Sequence, residues 1–147
     1  MDEMLKDPMV LRQVIMDHYE YPRNHSLVED EKYLTKHMAS ESCIDDIHVQ
    51  AYIENGMIKD IRFDGVACTI ATSSTSIMSE LMIGKTLEEA RLINDEYRKM
   101  IDKKEYDEDM LEEAVAFQNV GNQANRIHCA TIGWDAIVSL MDESEGK

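Results

Sequence analysis

The chain has 147 residues, of which 44% are hydrophobic and 31% charged, a composition typical of a globular protein with one core. We therefore predict a single domain over residues 1–147. A formal net charge of −15 disfavours contact with phosphate backbones, so no nucleic-acid partner is expected. No apolar run has the length of a membrane span, and residues 1–14 lack the pattern of a targeting segment. We expect a cytoplasmic protein with no membrane partner.

The first predicted element is a helix over residues 8–20. Pro8 suits the first helical turn, and apolar residues follow at helical spacing. The helix ends at the breaker cluster Pro22-Arg23-Asn24. Residues 25–42 are polar with scattered apolar side chains, and we interpret them as a loop.

A β-hairpin is predicted next, because apolar and polar residues alternate over 47–54. Asn55-Gly56 is a strong signal for a two-residue hairpin turn. Met57, Ile61 and Phe63 would share one face of the second strand. Asp64-Gly65 suggests another turn, followed by a short third strand that runs into Cys68.

Helices are predicted for the rest of the chain. One covers residues 70–83 and stops at Gly84, and another begins at Thr86, where Thr86-Leu87-Glu88-Glu89 fits a capping box. Asp107 can cap a helix that runs to about Phe117, and the last helix has an apolar stripe over 127–141. Strands followed by helices predict an α+β fold, with a small antiparallel sheet of about three strands and helices packed on one face.

Three cysteines, Cys43, Cys68 and Cys129, are the residues with the clearest potential for chemistry. An odd, widely spaced set does not fit a disulfide scaffold, which leaves inert core thiols, a reactive nucleophile or metal ligands. Each lies at a predicted element boundary, and thiolates near helix N-termini are stabilised by the dipole. With Asp45, two residues after Cys43, they would form a Cys₃Asp site for zinc or iron. Asp46 is a fallback oxygen ligand.

Spacing alone leaves each thiol open to being an inert core residue, but four ordered stretches resemble the SufU/IscU (NifU N-terminal-like) iron–sulfur cluster assembly proteins. Residues 14–24 are similar to the family's DHY-x-x-PRN segment, and Cys43-Ile44-Asp45 stands where the family has Cys-Gly-Asp. Residues 63–74 resemble the second cysteine motif, and residues 126–131 resemble the third. The resemblance extends from about residue 9 to residue 141.

Details of these motifs favour the SufU branch, although several residues depart from its pattern. Sixty residues separate Cys68 from Cys129, which resembles SufU, whereas His128 before the third cysteine is more like IscU. Ile44 and Ala67 replace family glycines, and a β-branched residue such as Ile44 resists a positive φ.

The resemblance implies a metal centre formed by Cys43, Asp45, Cys68 and Cys129, holding zinc or a transient [2Fe–2S] cluster. It also implies a cysteine desulfurase (SufS-like) as the sulfur donor, with downstream scaffolds or apo-proteins as acceptors. His128 is an auxiliary candidate as an alternate ligand, and Arg126 as a positive charge beside the thiolates. We expect Cys43, at the end of the predicted loop, to accept the sulfur. The protein would then be an acceptor or scaffold rather than a multiple-turnover enzyme.

Two other classes stay open at this point. One is a metal-free adaptor that docks to a desulfurase without sulfur transfer, which the altered Cys-Ile-Asp segment would favour. The other is an enzyme that uses Cys68 or Cys129 as its nucleophile with a histidine, although the sequence offers no convincing base and orienting partner.

Overall fold

The computed structural model describes residues 7–39 and 44–146, which form a three-stranded antiparallel sheet and five α-helices. In chain order the α-helices and strands are α1 (Pro8–Glu20), β1 (Tyr33–Ala39), β2 (Asp46–Glu54), β3 (Met57–Val66), α2 (Thr69–Met82), α3 (Leu87–Ile101), α4 (Glu108–Leu111) and α5 (Ala124–Ser144). Two 3₁₀ segments, Glu112–Phe117 and Val120–Asn122, connect α4 to α5. Within these described ranges no helix combines the length and hydropathy that a bilayer crossing requires. The predicted α+β fold class is confirmed.

The sheet has the order β1-β2-β3, and its first strand is not where the sequence pattern placed it. Residues 25–42 are predicted to form a loop, yet Tyr33–Ala39 pair along their whole length with β2. Asp64-Gly65 is not a turn either, because β3 continues to Val66. The third strand of the sheet therefore pairs with the first strand of the hairpin, β2, whereas the sequence pattern predicts it beside the second, β3. Alternation in β1 is weak because the strand is an edge strand with three consecutive exposed residues.

The predicted hairpin is confirmed, with a shift in its second strand. Asn55 and Gly56 both have positive φ, 54° and 71°, as a two-residue turn between twisted strands requires. The pairing register shifts between Tyr52 and Ile53. As a result, the residue at the start of β3 that is fully buried is Ile58 and not Met57.

The core lies between this sheet and the helices, with α2 at its centre and α5 packed against β1 and β2. Tyr97 of α3 stacks on Trp134 of α5, with ring centroids 3.7 Å apart and planes within 2°. Both rings keep their polar atoms satisfied, since Tyr97 donates to the Ala130 carbonyl and Trp134 donates to Ser74. Burial raises the pKa of Tyr97 well above its usual range, so the hydroxyl stays a donor.

The N-terminal motif attaches α1 to α2. His18 is fully buried, and its Nδ1 lies 2.7 Å from Ser76 Oγ. The backbone N–H of Arg23 donates to the same hydroxyl, and the Asn24 amide donates to Ser79 Oγ at 3.0 Å. The motif resembling DHY-x-x-PRN therefore positions α2, the helix that begins next to Cys68.

Close approach of α2 and α5 depends on Gly133, and this predicts a measurable packing defect. A Cβ at Gly133 would lie 2.3 Å from Thr75 Oγ1 and 2.9 Å from its Cβ. We expect Gly133→Ala to lower the free energy of unfolding by about 1–3 kcal/mol in urea denaturation, because overpacking forces the helices apart. Combining it with Thr75→Ala should cost less than the sum of the two single changes. Strict additivity would contradict this contact.

Candidate metal centre

Cys68 is one of the predicted site residues that the structure describes, and it is the N-cap of α2. The Ala71 N–H points at its sulfur, with a nitrogen–sulfur distance of 3.4 Å. The backbone at Cys68 is extended, with φ −69° and ψ 171°, which is usual for an N-cap residue. Its thiol therefore lies at the positive end of a 14-residue helix and is partly exposed.

Asp45 reaches this thiol because the two strands of the hairpin end together. Asp46 pairs with Val66, so Asp45, one residue beyond the pairing, and Cys68, two residues beyond it, lie close together. Gly65 allows the strands to approach, since a Cβ there would lie 2.2 Å from the Asp46 carbonyl oxygen. The Asp45 carboxylate is buried and accepts the Cys68 N–H at 2.8 Å, and its second oxygen lies 3.9 Å from Cys68 Sγ.

Cys129 brings the second described thiol to the site from α5. It lies in the second turn of that helix and is 5% exposed. From the sequence, the helix dipole is expected to stabilise the thiolate of this residue. It does not do so here, because the effect is confined to the first turn of a helix. Burial instead raises the pKa of Cys129, and the neighbouring Cys68 and Asp45 raise it further.

These three side chains form a donor set that suits a metal ion. One potential ligand atom from each of Asp45, Cys68 and Cys129 lies within 4.8 Å of the others. Two sulfurs and a carboxylate oxygen are ligands that tetrahedral zinc accepts, with one position left for a fourth donor. Several anions brought together in a buried place repel one another unless a cation neutralises them. The residues present therefore fit a divalent ion of borderline softness.

Cys43, the predicted fourth ligand and sulfur acceptor, lies outside the described residues. In sequence it falls between β1 and β2, one residue before Ile44, whose side chain is 66% exposed. Ala67, the other replacement of a family glycine, creates no strain beside Cys68. The described non-glycine residues with positive φ are Asn24, Asn55, Lys103 and Glu112, and none flanks this thiol.

The auxiliary candidates lie near Cys129 in sequence but are exposed. His128 and Arg126 both precede Cys129 in α5, and neither belongs to a group of three potential ligands in the described part of the chain. Their auxiliary roles stay predictions. Asp46 is not needed as the fallback ligand, since Asp45 already lies beside Cys68.

Sequence reasoning missed two further groups of potential ligands. His18 lies 3.2 Å from Glu113 and 3.7 Å from Glu80, and the histidine lowers the pKa of Glu113 by hydrogen bonding. His37, Asp46 and His48 form the other group. The sequence could have indicated the group of His37, Asp46 and His48 only through the register of β1, and its pattern predicts a loop there.

The fold and the donor set together define the class of protein. It is a small α+β domain that brings two cysteines and one aspartate together near the start of its central helix. The sequence matches the family described as NifU-like N terminal domain over residues 10–143, so the chain belongs to this family. The predicted resemblance is thereby confirmed.

Relatives from both branches match nearly the whole chain. The zinc-dependent sulfurtransferase SufU of Bacillus subtilis is 34% identical over 136 residues, which cover 92% of this chain and 91% of the relative. The iron–sulfur cluster assembly scaffold protein IscU of Streptococcus pyogenes is 30% identical, covering 89% and 82%. A SufU crystal structure from Fervidobacterium islandicum AW-1 superposes with a TM-score of 0.77 at 29% identity, covering 85% of this chain and 91% of that one.

Proposed function

We propose that this chain is an iron–sulfur cluster assembly protein of the SufU type, which accepts sulfur from a cysteine desulfurase at a Cys₃Asp centre. The observation that carries the proposal is the convergence of Asp45, Cys68 and Cys129 at one point. Cys43 is the proposed fourth member, on the strength of its motif. We propose one domain for the whole chain, and a cytoplasmic location stays a prediction.

Sulfur transfer is a thiol exchange that needs no outside oxidant. The desulfurase holds a persulfide, and a Cys43 thiolate attacks its terminal sulfur. The sulfur–sulfur bond of the desulfurase breaks, its cysteine leaves as a thiolate, and Cys43 carries the persulfide. A downstream scaffold or apo-protein can then take the sulfur by the same exchange.

The packing around the two described thiols favours Cys43 as the acceptor in this step. Cys129 is 5% exposed, so a partner's sulfur cannot come within bonding distance of it in the described arrangement. Cys68 is fixed between the Ala71 N–H and the Asp45 carboxylate. Because β1 occupies residues 33–39, support for Cys43 comes from the packing of the other two thiols rather than from a long loop.

Zinc is the proposed resident ion, and when bound it keeps its cysteine ligands deprotonated. The chain's own residues set the geometry: α2 orients Cys68, the hairpin end orients Asp45, and α5 orients Cys129. Asp45 supplies a hard oxygen beside two soft sulfurs, which makes it the donor that leaves the ion most readily. In the IscU-like mode the same donors would hold a [2Fe–2S] cluster as cargo.

The test is stimulation of a SufS-like desulfurase from the same organism, followed as alanine released from cysteine in the presence of a reductant. We expect stimulation by the zinc-loaded protein, decreasing as salt is raised, because a surface of net charge −15 would contribute electrostatic docking that salt screens. Potassium chloride and sodium chloride should act alike, which controls for specific ion effects.

Metal analysis of protein purified without added metal separates the proposal from the adaptor alternative. About one zinc or iron per chain that is lost in Cys68→Ser, together with stimulation, supports sulfur acceptance at the centre. Docking to the desulfurase with neither metal nor stimulation would support the metal-free adaptor. Neither docking nor stimulation with any desulfurase of that organism would contradict both.

A further inference from the structure

A second cluster of potential metal ligands lies on the sheet and shares no residue with the cysteine centre. His37 of β1 stacks on His48 of β2, with ring centroids 4.4 Å apart and an angle of 11° between planes. His37 Nε2 lies 2.6 Å from Asp46 Oδ1. One potential ligand atom from each of the three side chains lies within 4.8 Å of the others.

The backbone places these side chains together independently of their rotamers. His37 is directly opposite His48 in the antiparallel pairing, and Asp46 is two residues before His48 in the same strand. Residues two apart in a strand project from one face, and directly opposite residues have Cβ atoms about 4.5–5.5 Å apart. All three therefore project from the face of the sheet opposite the buried side chains of Ile47 and Val49.

The cluster is open to solvent, unlike the cysteine centre. The side chains of His37 and Asp46 are 52% and 57% exposed, and His48 is half-buried. Two consecutive residues therefore belong to different groups of potential ligands. Asp45 is buried beside Cys68, whereas Asp46 is exposed beside His37. Asp64 of β3 is directly opposite His48 on its other side and adds negative charge to the same row of the sheet.

We propose that His37, Asp46 and His48 form a second metal site, which binds a divalent first-row transition-metal ion. Two imidazoles and one carboxylate are donors that suit Zn²⁺, Fe²⁺, Ni²⁺ or Cu²⁺ and leave positions open for water. The exposed side chains can turn to share an ion without disturbing the core. The site contains no sulfur, so it is distinguishable from the cysteine centre by spectroscopy, and it does not depend on sulfur transfer.

The test is calorimetric titration of Zn²⁺ into untagged, metal-stripped protein that is kept reduced. We expect His37→Ala and His48→Ala each to lower the bound zinc by one equivalent per chain relative to the unchanged protein, whatever the cysteine centre holds. His25→Ala is the matched control. It removes an imidazole that lies 3.2 Å from Asp64 but is outside the three-ligand group, and it should keep both equivalents.

Titration with Co²⁺ separates this site from the cysteine centre. Sulfur-to-cobalt charge-transfer absorption arises only where cysteine binds, so it should be unchanged in the two histidine variants. The proposal is overturned if the double variant His37→Ala/His48→Ala binds as much zinc as the unchanged protein. It is equally overturned if the loss in that variant is matched by His25→Ala. A loss of charge-transfer absorption in the histidine variants would show that one shared site exists instead of two.

Discussion

Cys68→Ser is expected to abolish the stabilisation that zinc gives through the cysteine centre while leaving the metal-free protein as stable as before. Serine is a strong N-cap residue, so its hydroxyl can replace the sulfur as the acceptor of the Ala71 N–H at the start of α2. A neutral hydroxyl is a poor zinc ligand, and the donor set would lose one of its soft ligands. The change therefore separates the metal from the helix cap.

Urea unfolding with and without zinc measures this difference. With free zinc about 1,000-fold above its Kd, the unchanged protein should gain about 4 kcal/mol of unfolding free energy, because zinc binds the folded state. Cys68→Ser should gain much less, and it should bind one zinc fewer per chain than the unchanged protein. With a chelator present the two proteins should have similar stability.

Thr69→Ser is the matched control for this experiment. It changes the adjacent residue of the same helical turn to the same side chain but removes no ligand, so it should keep the metal and the zinc-dependent gain. If Cys68→Ser binds as much zinc per chain as the unchanged protein, or if zinc does not stabilise the unchanged protein, the assignment of Cys68 as a ligand is wrong.

Cys43→Ser is expected to reduce persulfide formation on this chain to the background level. The two other thiols are held within packed elements, Cys68 at the start of α2 and Cys129 buried in α5, so neither can substitute readily as an acceptor. Circular dichroism of the variant should show the same helix and sheet content, because both helices keep their packing. Cys129→Ser, by contrast, should lose both metal and stability.

Mass spectrometry of peptides after incubation with the desulfurase and cysteine locates the added sulfur. It should be found on the peptide that contains Cys43 and be absent from that peptide in the variant. Ser42→Ala, which alters the neighbouring residue without removing a thiol, should accept sulfur normally. A persulfide mainly on Cys129 would refute the assignment and indicate the IscU-like mode, in which His128 beside it would gain a role.

The elements that sequence predicted correctly are those with strong local signals. The capping box at Thr86 forms as expected, and Asn55-Gly56 closes the hairpin, because both motifs satisfy backbone groups within a few residues. The helices α1, α2 and α5 follow from periodic apolar faces. Asp107 caps α4, but the predicted helix to Phe117 is α-helical only to Leu111 and then tightens into a 3₁₀ segment.

The sequence by itself also determined the family and the candidate ligands, since four ordered motifs are local strings of residues. Only the tertiary structure decided which of those ligands meet. It places Asp45 rather than Asp46 beside Cys68, because the pairing of Asp46 with Val66 ends the hairpin there.

Burial and strand register are the two properties that the tertiary structure alone decides. Packing of α5 buries Cys129, so its pKa is raised where its place near a helix start suggested the opposite. Pairing of β1 with β2 brings His37 to His48 across the sheet. Both depend on contacts between residues far apart in the chain, which local periodicity and motif spacing do not encode.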